Sequence, residues 1–360
     1  MSISGSYRRV VVSPLNWGLG HATRLVPVID GLLRQGHTVL LAGEEPSLHI
    51  LKEVFPSLLS IPTKGFQVRL AEGQRQWPVL IKQIPSFLKF MLRDYQQVQR
   101  IVKEYDIDLI ISDNRYGFRS GKVSSVIITH QTRPYPGQKL AFLRPITNFI
   151  SRCLLSRFDA CWVPDASPPN NLSGDLSRGF VGLSIQYVGL VSRLQVPMFA
   201  KCAVIKADVL LILSGPEPQR SLLEDLLVAR FKGTGRRAVI LCGQPKRSIK
   251  HEDNLIFLPH CDSAQLKSLI CNSEHIICRS GYSTLMDLMV CNKRALLIPT
   301  PGQFEQEYLA RRASLYFGFR WMQQDAIEDC SLSDILFTQP KVVSSHVKSV
   351  FCLPDLPACN

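Results

Sequence analysis

No two cysteines stand in a C-x-x-C pair, although the chain of 360 residues has eleven of them. The number is odd and the positions are scattered, which excludes a disulfide scaffold and argues against a zinc site. Cys161, Cys242 and Cys278 sit inside apolar runs that read as strands, so buried free thiols of a reducing compartment are expected. No run reaches the roughly 18 apolar residues that cross a bilayer. The first residues, up to Tyr7, are polar, and Arg8 and Arg9 lead into only a brief apolar run. We therefore expect no signal peptide and a cytoplasmic protein. Sequence repeats and low-complexity tracts are also missing. Acid is scarce: 29 Asp and Glu face 42 Lys and Arg, a net charge of +13. Residues 1–190 hold 22 basic against 13 acidic side chains, and residues 191–360 hold 20 against 16. Something anionic is expected nearer the first half, whether phosphate groups, a lipid surface or nucleic acid.

What is present fits an ordinary globular protein, with 46% hydrophobic and 20% charged residues. The length predicts two domains, each with its own core. Short β-branched runs alternate with longer helical patterns, the mark of a parallel α/β architecture. Strands are predicted at residues 8–13, 37–42, 109–112, 126–130 and 160–163, with a weaker helix and strand over 47–61. A helix is predicted over 22–35, stopped by Gly36. A loop is expected over 62–78. Helical spacing over 79–105 is broken by Pro85, which predicts two helices or one kinked helix. Residues 164–190, rich in Pro, Gly, Ser and Asn, read as a linker. The alternation restarts with strands at 209–214, 238–242, 255–258, 275–278 and 295–299. Helices fall between them at 218–231, 263–270, 283–290 and 304–313. The expected division is 1–190, 191–335, and a tail of 336–360 that packs back on the body. Two Rossmann-like domains in series, with a cleft between them, are the expectation.

Between the first strand and first helix stands Asn16-Trp17-Gly18-Leu19-Gly20-His21-Ala22-Thr23-Arg24. Gly18 and Gly20 let the backbone approach a ligand, and the helix start favours anionic groups. The dinucleotide fingerprint is not met, because position 23 is Thr, and no P-loop is present. His21 takes the place a phosphate cradle would give to a small residue, and imidazole suits general-base work near pH 7. Capping the helix or stacking on Trp17 is the other use such a histidine finds. Asp113, Arg115, His130 and Gln131 follow strands of the same half and are expected to face the same cleft. Asp113 is expected to orient His21 or raise its basicity. In the second half, Cys278-Arg279-Ser280-Gly281-Tyr282-Ser283-Thr284 ends a strand and opens a helix, an anion site by its free N–H groups. Asp287 lies one turn inside, where a carboxylate could hold ribose hydroxyls or only face solvent. Gln303, Glu305 and Gln306 open the following helix and suit sugar hydroxyls.

C-R-S-G-x-x-T-x-x-D followed by P-x-P-G-x-x-E-Q resembles the carboxyl-terminal half of the family 28 glycosyltransferases, over about residues 205–315. The G-x-G-H loop is similar to the amino-terminal loop of that group. The resemblance implies an α/β chain of GT-B architecture, and an inverting, metal-independent hexosyltransferase. It would use a nucleotide-diphosphate sugar, UDP-linked by the family's habit, as a substrate with no further cofactor. Ser280, Gly281 and Thr284 match positions that line the diphosphate, Asp287 the acidic position on the ribose, and Gln306 a glutamine on the donor sugar. Arg279, Gln303, Glu305, Ser214 and Gly215 fall on the same donor side; Gly18, Gly20, Arg24, Arg115, His130 and Gln131 fall on the acceptor side. His21 matches the loop histidine proposed as base. Asp287 replaces a Glu, and Ala310 stands where an Asn follows in the family member that adds N-acetylglucosamine to a lipid-linked intermediate, which puts that sugar in doubt. The loop 214–220 carries two prolines in place of glycines, so phosphate contact there passes to Ser214 or Arg220.

The implied acceptor is a glycan or a lipid-linked, cell-envelope intermediate. The basic, apolar stretch 79–103 suits peripheral contact with an anionic membrane, on its inner face, or simply packs on the sheet with a solvated basic side. Asp106-Ile107-Asp108 has the D-x-D form of metal-using transferases but reads as strand-entry carboxylates. Two rivals stand beside the transferase. The loop G-x-G-H-x-x-R is also similar to nucleotide-sugar hydrolases, with water as acceptor. A basic nucleic-acid-binding module lacks the aromatic and basic interleaving it would need, so no nucleic-acid partner is expected.

Overall fold

The structure, a computed structural model, describes residues 8–16, 19–66, 76–196, 205–215, 217–244, 247–336 and 351–357. They form two compact units. One comprises residues 8–66, 78–196 and 351–357; the other comprises residues 76–77 and 205–336.

The first unit is a seven-stranded parallel sheet with helices on both faces. Its strands are β1 (Arg9–Pro14), β2 (Thr38–Gly43), β3 (Ser60–Pro62), β4 (Leu109–Asp113), β5 (Ser124–Ile128), β6 (Ala160–Val163) and β7 (Ile185–Tyr187), in the order β3-β2-β1-β4-β5-β6-β7. Val10, Val11 and Val12 are fully buried on both faces of β1, as a central parallel strand requires. The helices are α1 (Leu19–Arg34), α2 (Ser47–Val54), α3 (Gln76–Glu104) and α4 (Arg144–Leu155). Gly36, at φ +84°, ends α1, its N–H and that of His37 closing back on Leu33 and Leu32. Pro85 lies inside α3 without ending it, so the stretch is one helix.

Two expectations are corrected here. Residues 164–190 are not a linker. They hold β7 and a buried turn in which the Asp165 carboxylate accepts from the backbone N–H groups of Ala166, Leu172 and Ser173 at 2.7–2.8 Å. The first sheet therefore has seven strands where six were expected. Residues 351–357 pack on this unit: Cys352 N–H donates to Val188 at 3.2 Å, and Leu353 lies against Gly31 of α1.

The second unit repeats the plan. β8 (Ala207–Ile212), β9 (Ala238–Leu241), β10 (Lys250–Glu252), β11 (Leu255–Leu258), β12 (Ser273–Cys278), β13 (Leu296–Leu297) and β14 (Arg320–Trp321) run in the order β10-β11-β9-β8-β12-β13-β14. Only the β10–β11 edge pair is antiparallel. The helices are α5 (Gln219–Phe231), α6 (Ser263–Asn272), α7 (Tyr282–Val290), α8 (Phe304–Phe317) and two short turns, α9 (Ala326–Asp329) and α10 (Leu332–Ile335). Its core joins Val209 and Leu211 of β8 to Leu223, Leu227 and Phe231 of α5 and to Ile327 and Ile335. In both sheets the first strand of the unit sits centrally, with the strand order reversing beside it. That reversal opens a crevice at the carboxyl ends of β1 and β4, and again at β8 and β12.

Candidate functional site

At the first crevice, α1 starts directly after β1 and places His21 and Arg24 one turn apart, while Asp113 is the last residue of β4. The Leu15 N–H donates to the Asp113 carbonyl at 3.0 Å and ties the two strand ends together. Arg24 and Asp113 are buried. Arg24 grips the carboxylate with two nitrogens: Nε donates to Oδ2 at 2.5 Å and Nη2 to Oδ1. The same Nη2 lies 2.8 Å from His21 Nδ1, and that ring nitrogen lies 3.2 Å from Asp113 Oδ1. Arg24 Nη1 is 3.4 Å from His130 Nδ1. The sequence-predicted residues His21, Arg24, Asp113 and His130 thus form one cluster.

Guanidinium only donates. A neutral His21 therefore either accepts from Arg24 at Nδ1, keeping its proton on Nε2, or donates from Nδ1 to Asp113, leaving Nε2 free to take a proton. Burial and then the Arg24 charge push the His21 pKa below its ordinary value; Asp113 works upward and is outweighed. Asp113 thus makes the expected contact and acts on the ring in the expected direction, while burial and Arg24 set the net shift downward. Burial would raise the Asp113 carboxyl, but Arg24 and His21 beside it hold it below the usual carboxylate range. Tyr116, its phenol pushed up to about 12 by burial, lies near the same charges and bonds Thr129.

Arg115 is elsewhere. It is buried against Asp94 of α3, with Nη1 donating to Ser13 at 2.8 Å and Thr63 at 3.0 Å, and its guanidinium lies over Phe118. It braces α3 to the strand ends and does not present its charge to an acceptor. Gln131 is half-buried with its N–H on Thr129 Oγ1 at 3.1 Å. Gly20 accepts from Thr23 Oγ1 at 3.2 Å. Gly18 lies outside the described residues. Asp106 and Asp108 sit at the opposite, amino end of β4, where Arg9 takes both carboxylates, at 3.3 Å and through its N–H at 2.7 Å. Among the described residues no group of three or more His, Cys, Asp and Glu could hold a metal ion.

In the second unit, Arg279 and Ser280 follow β12, and Gly281 is the N-cap of α7 with no side chain to satisfy the first N–H groups. Arg279 is buried, and its guanidinium donates only to carbonyls: Gln219 at 2.6 Å, Ile298 at 3.2 Å and Pro299 at 3.3 Å. It makes no salt bridge among the described residues, its Nε has no partner there, and burial lowers its pKa to about 10. It remains a cation at neutral pH, and it holds together the starts of α5 and α7 and the loop after β13. Ser280 donates to the Gln306 carbonyl at 2.8 Å. Gln306, buried, accepts the Thr300 N–H at 2.9 Å and donates to Gln303. Ser280 and Gln306 therefore brace the two helix starts. Thr284, Asp287, Gln303 and Glu305 are half-exposed on α7 and α8. Ser214 is half-exposed and Gly215, at φ +104°, exposed, in the turn after β8. Arg220 does not offer itself to phosphate: Glu217 at 2.6 Å and Glu224 at 2.5 Å neutralise it. Sequence reasoning missed Asp94 and Glu224, because their arginine partners are recognisable only once the helices pack.

Residues 239–328 match the glycosyltransferase family 28 C-terminal domain, a segment that includes β12, α7 and α8. No curated protein matches the chain. Among solved structures, the spinosyn rhamnosyltransferase SpnG complexed with thymidine diphosphate is 17% identical, with 91% of each chain covered and a TM-score of 0.59. The calicheamicin glycosyltransferase CalG4 is 10% identical, with 92% of this chain and 89% of that one covered and a TM-score of 0.63. The glycosyltransferase SnogD from Streptomyces nogalater is 14% identical, covering 90% and 88%, at a TM-score of 0.54. These likenesses establish the fold as GT-B, and the second unit carries the segment that resembles family 28.

Proposed function

We propose that the chain is a glycosyltransferase that moves a sugar from a nucleotide-diphosphate donor to an acceptor hydroxyl with inversion. The observation that carries this reading is the platform inside the family 28 segment: the start of α7, whose N-cap Gly281 brings no side chain between the helix end and a ligand, backed by Arg279, a buried cation that meets carbonyls and no carboxylate among the described residues. Such a place favours a polyanion. One structural neighbour is described as complexed with thymidine diphosphate, which supports a nucleoside diphosphate as the class of ligand.

In this reading the second unit takes the donor, with Asp287 toward ribose hydroxyls and Gln303 and Glu305 toward the sugar. The first unit supplies the proton acceptor. The acceptor oxygen bonds the anomeric carbon, its proton passes to His21 Nε2, and the bond to the diphosphate oxygen breaks with the electron pair leaving on phosphate. That requires the His21 tautomer whose Nδ1–H donates to Asp113. The α7 start and Arg279 receive the charge of the departing diphosphate. Base catalysis of this kind contributes about 10²–10⁴-fold.

The test is a panel of UDP- and dTDP-sugars, read first as thermal stabilisation and then as sugar release. A bound donor at about 100 times its Kd stabilises by roughly 2.7 kcal/mol. No shift with any donor overturns the reading. Rapid release of free sugar without acceptor replaces the transferase with the hydrolase.

A further inference from the structure

Helices α6 and α7 end beside each other on one face of the second sheet. Their crossovers, β11 to β12 and β12 to β13, both run toward the β14 edge between parallel strands. Right-handed connections put two such helices on the same side. Each closes on a cysteine at the amino end of the sheet, away from the crevice. Cys271 lies in the last turn of α6, just before β12 begins at Ser273, and Cys291 is the C-cap of α7. Two residues beyond each cysteine the chain is tied again, where Lys293 Nζ donates to the Ser273 carbonyl at 3.3 Å. Between the helix ends the two thiols share a hydrogen bond, and neither is in a disulfide.

The two sulfurs differ in access. Cys271 is exposed and Cys291 half-buried. Burial, then the Cys271 thiol and the Asp287 carboxylate, push the Cys291 thiol up to about 12, against the pull of Lys267. Cys161 and Cys278 are pushed up to about 12 as well, but there the cause is burial in the core, where oxidants do not reach. An exposed thiol backed by a second one in contact is the arrangement of a redox-sensing pair. The first sulfur meets the oxidant and the second resolves it.

We propose that Cys271 and Cys291 are a modification site at which a peroxide closes a reversible disulfide, clamping the end of α6 to the end of α7. The Cys271 sulfur attacks the peroxide, the O–O bond breaks, and a sulfenic acid and water are left. The Cys291 sulfur then attacks that sulfenic sulfur. The S–S bond forms, the S–O bond breaks, and the hydroxyl leaves as water with the Cys291 proton. Two thiols have lost two electrons, and the peroxide has taken them. In a reducing compartment a bond of this kind is transient, which suits thiols that stand in contact and are free. The loop it closes holds β12 and the whole of α7, so the unfolded chain is restricted and the second unit gains stability. The proposal is separate from the transferase reading and needs no sugar to be tested.

The experiment treats the full chain with hydrogen peroxide, alkylates the remaining thiols and maps the cysteines by mass spectrometry. The expected result is a peptide pair joined through Cys271 and Cys291, with a melting temperature about 5–10 °C above that of the reduced protein. Dithiothreitol reverses both. Cys271→Ser, a change at an exposed position, folds as the parent does and loses both effects. Cys153→Ser and Cys352→Ser, at two other exposed thiols, keep both. Oxidation of Cys271 to a sulfinic acid while Cys291 is alkylated as a free thiol overturns the proposal. So does a disulfide that joins two copies of the chain through Cys271, or an internal bond that brings no thermal gain.

Discussion

The guanidinium of Arg24 reaches Asp113 through two nitrogens and His21 through one, so the imidazole and the carboxylate answer to the same cation. Removing the carboxylate charge strands Arg24 in the interior. Asp113→Asn should cost about 3–5 kcal/mol of stability, the price of breaking a buried pair, measured by chemical denaturation; a loss under about 1 kcal/mol would show that water reaches the pair. The imidazole makes a prediction against pH. The unfolded chain protonates His21 near pH 6.5, whereas the folded ring, its pKa lowered, stays neutral to lower pH. Between those values the unfolded state binds more protons, so stability falls as pH drops below about 6.5. His37, also lowered by burial and by Arg8, adds a slope of the same sign. Asp113, held below its ordinary value, loses its contribution only below about pH 3.8. Melting temperature against pH should therefore slope less between pH 6.5 and 5 in His21→Gln, and an unchanged slope would remove His21 as a source.

Elements and the loops that join them divide into those that pack and those that bind, and two glycines separate the cases. A Cβ on Gly117 would sit 2.4 Å from the Met91 carbonyl of α3, so Gly117→Ala must push that helix off the sheet. A Cβ on Gly281 meets only Thr284 Oγ1, at 4.0 Å. Gly281→Ala should therefore fold with a melting temperature near that of the parent and, on the proposed donor placement, weaken donor binding at least about tenfold, because a methyl group would stand between the diphosphate and the α7 start. Unimpaired donor binding would take the diphosphate away from this helix start. The elements carrying both sites were legible from their patterns: β1 and β12 as apolar runs, and α1 and α7 as helices opening on Gly, Ser and Thr. Helix α4 was not, because its outward positions are Phe and Ile and no polar stripe marks them. Strand β7 hides as three residues inside a Pro- and Ser-rich stretch. The site was legible in its residue types and illegible in its pairings. Ser280, Gln306 and Arg115 look like ligand contacts in a sequence, yet their hydrogen bonds go to Gln306, Thr300 and Asp94.

For the molecule as a whole, the chain leaves the first unit after Val196 and returns to it at residues 351–357. Leu353 covers Gly31, which has no side chain of its own to fill that place on α1. The last segment is thus part of the first unit's packing, although the second unit intervenes in sequence. Leu353→Ala should destabilise the first unit by about 1–2 kcal/mol, below the 2–5 kcal/mol of a fully buried leucine because this one is half-buried. Hydrogen exchange can assign that loss to a unit. The variant should raise exchange in α1 and in the strands beside it and leave α7 and α8 unchanged. Adding a nucleotide-diphosphate sugar should do the reverse for the parent, slowing exchange over residues 213–219, 279–287 and 298–307. Protection by the donor confined to β1 and α1 would place the nucleotide on the first unit and exchange the roles proposed for the two. Exchange that rises equally in both units with Leu353→Ala would show that they unfold together as one cooperative body.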